Sequence, residues 1–145
     1  MFDVFVAMHV ICAVVGFGSV ALSGVYGAAA RRPEHQSPSE ETARYFQSRG
    51  WSELLILAVP VFGAAALGVR PEGSDFGDFW VVAGLVIWAV AAGLLLVIVR
   101  SAEGRIRRSG DREQARHPGA QLMWAAAACD VLFVLALAIM VTQPP

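Results

Sequence analysis

Charge is what this sequence has least of. Only 16% of its 145 residues are Asp, Glu, Lys or Arg, against roughly a quarter in ordinary soluble domains, which excludes a conventional solvated globular surface. Lysine is missing altogether, and all eleven basic residues are arginine. A formal net charge of −1 offers no surplus of positive charge for a phosphate backbone to meet, so nucleic-acid binding is excluded as well. Cysteine is scarce, and Cys12 and Cys129 both lie within apolar runs. That context does not fit a zinc knuckle or a secreted disulfide framework, and both read as small buried residues. There are three histidines, His9, His35 and His117, but no HExxH, no phosphate-cradling glycine loop and no nucleophile elbow. No internal repeat or low-complexity tract is visible. The familiar enzyme signatures are therefore missing, and the chain reads more as a non-enzyme than as an enzyme.

What the chain has in quantity is apolar surface: 57% of its residues are hydrophobic and its mean hydropathy is +0.58. Four runs, about 4–29, 51–69, 79–99 and 120–141, approach the ~20 apolar residues needed to cross a bilayer. The first ends in Ala28-Ala29-Ala30, which resembles a cleavage site. It begins Met1-Phe2-Asp3 without a positive leader, however, and is too long for a signal core, so it reads as a span. The expected fold is all-α: a four-helix transmembrane bundle forming a single integral membrane domain over 1–145. The first and third loops, Ala30–Gly50 and Arg100–Gly119, carry every arginine except Arg70. By the positive-inside rule they face the cytoplasm of a bacterial inner membrane, with both termini outside. Trp51 and Trp80 fall at span ends, where interfacial aromatics belong. Ser37-Pro38-Ser39-Glu40 is a capping box with proline at the first helical position. It predicts a short amphipathic cytoplasmic helix from Pro38 to about Gln47, between spans one and two. Arg100–Arg108 is expected to continue the third helix out of the bilayer.

Inside the spans, polar residues are few enough to take one by one. His9, Cys12, Gly16, Ser19 and Ser23 recur every three or four residues and share one face of the first helix, which must look at protein. Gly16, Ser19, Ser23 and Gly27 have the small-residue spacing of a helix-packing groove. At 1.5 Å per residue His9 lies roughly 10 Å from the outer surface, and Asp130 lies near mid-membrane, about level with Gly16. A mid-membrane carboxylate costs at least ~2.5–3.5 kcal/mol, so Asp130 is expected to face the bundle interior. It then either handles a proton or ion, orients a cofactor ligand, or ties helices together. Its expected helpers are His9, Cys12, Ser19, the Trp88 indole and the carbonyl that Pro60 frees on the second helix. Glu53 at the cytoplasmic end of the second span reads as an anchor for Arg49 or Arg100.

His9 is the candidate metal or haem ligand, with Cys12 and Trp88 as neighbours in a cofactor site. His35 and His117 fall in or beside the opposite loops, so a haem b on His9 would be five-coordinate or would take Met8, Met140 or a partner chain as sixth ligand. The string Met8-His9-Val10-Ile11-Cys12-Ala13-Val14-Val15-Gly16-Phe17-Gly18, with three further spans and the end Ala138-Ile139-Met140-Val141-Thr142-Gln143-Pro144, resembles small integral membrane proteins of unknown function common in actinobacteria. The layout is also similar to the copper-resistance D type and to HemJ-type protoporphyrinogen oxidases. In the latter a first-helix histidine binds haem, and by that resemblance only His9 carries over. The continuation and basic third-helix residue expected of the HemJ type are not here. These readings converge on a redox-associated membrane protein that binds haem or serves as an accessory subunit of a membrane redox complex. The alternative is a small proton- or metal-coupled transporter or channel subunit that titrates Asp130. The expected partners are the lipid bilayer and either further copies of the chain or a larger membrane complex.

Overall fold

The computed structural model describes residues 1–29, 52–69, 76–108 and 112–142, and the regular structure among them is helical throughout. Helix α1 is Phe2–Ala29, uninterrupted by proline and with Asp3 in its first turn, where a carboxylate suits the helix dipole. A single 3₁₀ turn, Ser52–Leu54, leads into α2, Leu55–Gly68. Helix α3, Phe79–Gly93, runs through a π-helical segment, Leu94–Val99, into α4, Arg100–Arg108. Helix α5 is Arg112–Thr142. Three stretches, Phe2–Ala29, Phe79–Ile106 and His117–Thr142, are long and apolar enough to cross a membrane, while Ser52–Gly68 is a shorter apolar helix between the first two. The described part of the second column falls within the expected 51–69, and the third continues as one helical column to Arg108. The helix expected over Pro38–Gln47, its capping box, His35, Trp51 and Arg70 lie outside the described residues.

Helix α1 is the hub of this four-helix bundle. It packs against α2 on one side and α5 on the other, α5 in turn packs on α3, and α2 and α3 barely touch. The start of α1 and the end of α5 share one end of the bundle, where Phe2 and Met140 lie near one another. Val20, Ile56, Leu95, Val99, Leu122 and Cys129 are fully buried, and the Phe17 and Phe133 rings stack at 4.7 Å between α1 and α5. Because lipid tails are as apolar as these side chains, close fit rather than escape from water must hold the helices together. Three glycines on α1 set that fit, among them Gly24, where a Cβ would stand 2.7 Å from the Ala126 Cβ. A Cβ on Gly16 would stand 2.6 Å from Ile56 Cγ1 and 2.9 Å from the Ile56 backbone nitrogen, and one on Gly27 would stand 3.1 Å from the Gly119 carbonyl. Ser23 is buried beside them, whereas Ser19 is half-buried and returns its hydroxyl to the Val15 carbonyl of its own helix at 2.8 Å. The outward surface is the reverse of a soluble protein's: Val10, Ile11 and Val14 on α1, Val86 and Val90 on α3, and Val131 and Val134 on α5 are all exposed.

Two irregularities shape the interior. The π segment widens the helix to more than four residues per turn, and the buried residues Ala91, Leu95 and Val99 advance in steps of four to match, keeping one face on α5 where a 3.6-residue repeat would drift away. Pro60 sits inside α2 and brings no N–H, so the carbonyl four residues earlier, that of Ile56, loses its helical donor.

Candidate functional site

The sparse contact between α2 and α3 leaves room. At the terminal end of the bundle a cavity of about 460 Å³ opens between them, a size within the usual range for small-molecule sites. Phe2, Val6 and His9 come from α1, Val59, Pro60 and Gly63 from α2, Trp80, Gly84 and Trp88 from α3, and Met140 from α5, with Phe76 at the rim. Ala64 on α2 and Leu85 on α3 line the cavity and are themselves exposed, so it opens sideways toward the lipid-facing surface. Its walls are almost wholly apolar. The polar groups that reach it are one imidazole and two indoles.

Both the imidazole and the inner indole are fixed to the backbone of α2. His9 Nδ1 lies 2.8 Å from the Val59 carbonyl. A carbonyl oxygen only accepts, so Nδ1 carries a proton; in the neutral ring Nε2 then holds the lone pair, and it has no partner among the described residues. Gly63 makes this possible: a Cβ there would stand 3.0 Å from Nδ1 and 3.1 Å from Cε1 of the same ring. The Trp88 Nε1–H donates to the Ile56 carbonyl at 2.8 Å. That carbonyl is the one Pro60 deprives of its helical donor, so the proline on α2 and the tryptophan on α3 form one unit. Histidine held through Nδ1–H on a carbonyl is the arrangement that orients ligating imidazoles, because the second nitrogen is then aimed and slightly more basic.

The expected site is thus brought together only in part. His9 and Trp88 share the cavity, as do Pro60 and Met140. Cys12, one turn along α1 from His9, is instead buried in the core and does not line it. Asp130 stands apart from it. It lies on α5 roughly 15 Å along the helix from Met140 and is half-buried, not enclosed by the bundle. None of its expected helpers serves it: His9 bonds Val59, Trp88 bonds Ile56 and Ser19 bonds Val15. The reason is rotational. The buried face of α5 runs through Leu122, Ala126 and Cys129, and Asp130 falls to one side of that line. Met8 is exposed on α1 and also lies away from the cavity, and His117 is exposed near the start of α5. Glu53, read as an interfacial anchor, is buried, and it accepts a hydrogen bond from Ser23 Oγ at 3.4 Å.

The family description "Predicted integral membrane protein (DUF2269)" matches residues 3–144. The chain belongs to that family. No curated protein and no solved structure matches it. The family description agrees with the long apolar helices and names no activity, so the chemistry must be argued from this DUF2269 chain's own cavity. Among its described residues there is no group of three or more His, Cys, Asp or Glu able to hold a metal ion.

Two residues of the site escape sequence reasoning, Gly63 and Gly84. Each is a glycine in an apolar helix, with nothing nearby in sequence to mark it. A Cβ on Gly84 would stand 3.0 Å from the Met140 methyl, so it accommodates Met140 on α3 much as Gly63 accommodates His9 on α2. The one signal for either lies in three dimensions, where each glycine faces the side chain it makes room for.

Proposed function

We propose that this is a redox-associated integral membrane protein, either a haem b carrier in its own right or an accessory subunit of a larger membrane redox complex, with His9 Nε2 as the axial ligand. The reading rests on one observation, the Nδ1–H bond from His9 to the Val59 carbonyl, which leaves Nε2 as a neutral donor atom in an apolar cavity. A lone imidazole holds a bare metal ion poorly, but a macrocycle brings four nitrogens and asks the protein for one or two more. The aromatic walls, Phe2, Trp80 and Trp88, suit a flat apolar ring. In this reading the arginine-rich loops lie in the cytoplasm and the cavity lies toward the opposite side of a bacterial inner membrane. The test is the absorption spectrum of the protein purified from membranes and after addition of haemin. A Soret band that disappears in His9→Ala supports haem ligation, and wild-type protein with no Soret band under either condition overturns it.

Proton- or metal-coupled transport through Asp130 is the second reading. It is favoured by a half-buried carboxyl on a span with no hydrogen-bond partner among the described residues. Flux in proteoliposomes that responds to pH and is lost in Asp130→Asn, from protein without a chromophore, would select it.

A further inference from the structure

The cavity that holds His9 is uncharged in its described lining, walled by aromatic rings and open to one side, and each property restricts what can occupy it. The imidazole rests its Nδ1–Cε1 edge on α2, against the Val59 carbonyl and Gly63, so the edge left for the cavity is the one that carries Nε2. In the neutral ring that nitrogen accepts a hydrogen bond and cannot donate one. The Val59 and Ile56 carbonyls beside it are already taken by His9 and Trp88, and an indole N–H only donates. The site therefore asks for a ligand that donates. Carboxylate, phosphate and ammonium groups fit poorly, because burying a charge with no charged side chain to receive it is expensive. Ala64 on α2 and Leu85 on α3 mark the opening, and both are exposed on the apolar outer surface, so the ligand arrives from the lipid.

We infer that the cavity binds the headgroup of a lipid-soluble hydroquinone, one ring hydroxyl donating to His9 Nε2 while the apolar tail leaves through the opening between α2 and α3. This goes beyond the haem reading and needs no metal; the two occupants compete for one nitrogen. Size agrees with it. A cavity of about 150 Å³ accepts a benzene ring, and the roughly 460 Å³ here leaves space for ring substituents and the first carbons of a tail. Phe2, Trp80 and Trp88 offer faces on which a flat ring packs, and a phenolic hydroxyl is a stronger donor than an aliphatic one. His9 then acts as a selector. A quinone has the same ring but only carbonyls, and it meets Nε2 lone pair to lone pair, so the site holds the reduced form more tightly than the oxidised.

The experiment is isothermal titration of the protein in lipid nanodiscs with an alkyl hydroquinone and with its dimethyl ether, which keeps the ring and tail and loses both donors. Wild type is expected to bind the hydroquinone saturably and about tenfold more tightly than the ether, the worth of one hydrogen bond in an apolar site. His9→Phe, which keeps a ring but has no acceptor, is expected to bind both equally, and Ala64→Trp, which blocks the opening, to weaken both. Nitrogen NMR of histidine-labelled wild type is expected to show His9 Nε2 shifting with the hydroquinone and not with the ether. Equal affinities in wild type, a preference that survives His9→Phe, or no saturable binding overturns the inference. If His9→Phe does not fold, an unmoved Nε2 resonance in wild type overturns it alone. The haem reading is judged separately. A His9-dependent Soret band that saturating hydroquinone leaves unchanged overturns the inference and keeps haem, and hydroquinone binding by protein with no Soret band does the reverse.

Discussion

Replacing Trp88 with phenylalanine should cost the bundle about 1 kcal/mol for a reason that a second substitution can remove. The indole N–H is the donor to the Ile56 carbonyl at 2.8 Å, and Pro60 denies that carbonyl its helical donor. An orphaned buried carbonyl costs roughly 1–3 kcal/mol in soluble proteins, while hydrogen bonds between membrane helices average about 0.6 and reach about 1.7 kcal/mol. Trp88→Phe also removes ring volume from the cavity wall, so its total cost mixes two effects. Pro60→Ala separates them. It supplies an N–H at position 60, which restores the ordinary helical bond to Ile56 and makes the indole donor redundant. In the Pro60→Ala background Trp88→Phe should therefore cost about 1 kcal/mol less than in wild type, the difference being the coupling energy of the cycle. Reversible unfolding of the four proteins in mixed detergent–SDS micelles, followed by tryptophan-independent far-ultraviolet circular dichroism, measures it. Equal costs in the two backgrounds, within about 0.3–0.5 kcal/mol, would refute the claim that Trp88 replaces the donor lost at Pro60.

Two glycines on α1 make a matched pair. Gly16→Ala places a methyl 2.6 Å from Ile56 Cγ1 and 2.9 Å from its backbone nitrogen, so it must push α1 and α2 apart at a cost of roughly 1–3 kcal/mol. Gly18→Ala meets nothing within 4 Å and should be neutral or stabilise by up to about 1 kcal/mol through helix propensity. The same micelle titration reads both. Cys12 and Cys129 are free and buried, so a membrane-permeant maleimide should label neither in the folded protein and both once it is denatured, with mass spectrometry as the readout.

Much of this fold is legible from composition alone, because a bilayer demands long apolar helices and the chain has them. Position along each helix was legible too, since a fixed rise per residue sets His9, Pro60 and Trp88 within reach of one another. Rotation about each helix was not. The freed carbonyl on α2 was expected to help Asp130, yet it receives Trp88, because which face α3 turns toward α2 is decided by packing. Asp130 shows the same gap: its position along α5 follows from counting residues, but its half-buried setting depends on Cys129 and Ala126 taking the interior. The π segment leaves no mark in Leu94–Val99, a plain apolar run without proline. Gly63 and Gly84 were opaque for a related reason, since a glycine announces a close approach but not what approaches.

The short second column has a consequence for the lipid around it. Among the described residues Ser52–Gly68 rises about 26 Å, against an apolar core of about 30 Å, while its neighbour α1 rises about 42 Å. Hydrophobic mismatch of this kind is relieved by thinning the bilayer locally or by shifting the short helix along the membrane normal. The helix that would shift is the one carrying Val59, Pro60 and Gly63, and His9 is seated on Val59 and Gly63. Bilayer thickness is therefore expected to bear on the orientation of the imidazole, and reconstitution into lipids of graded chain length tests this without touching a residue.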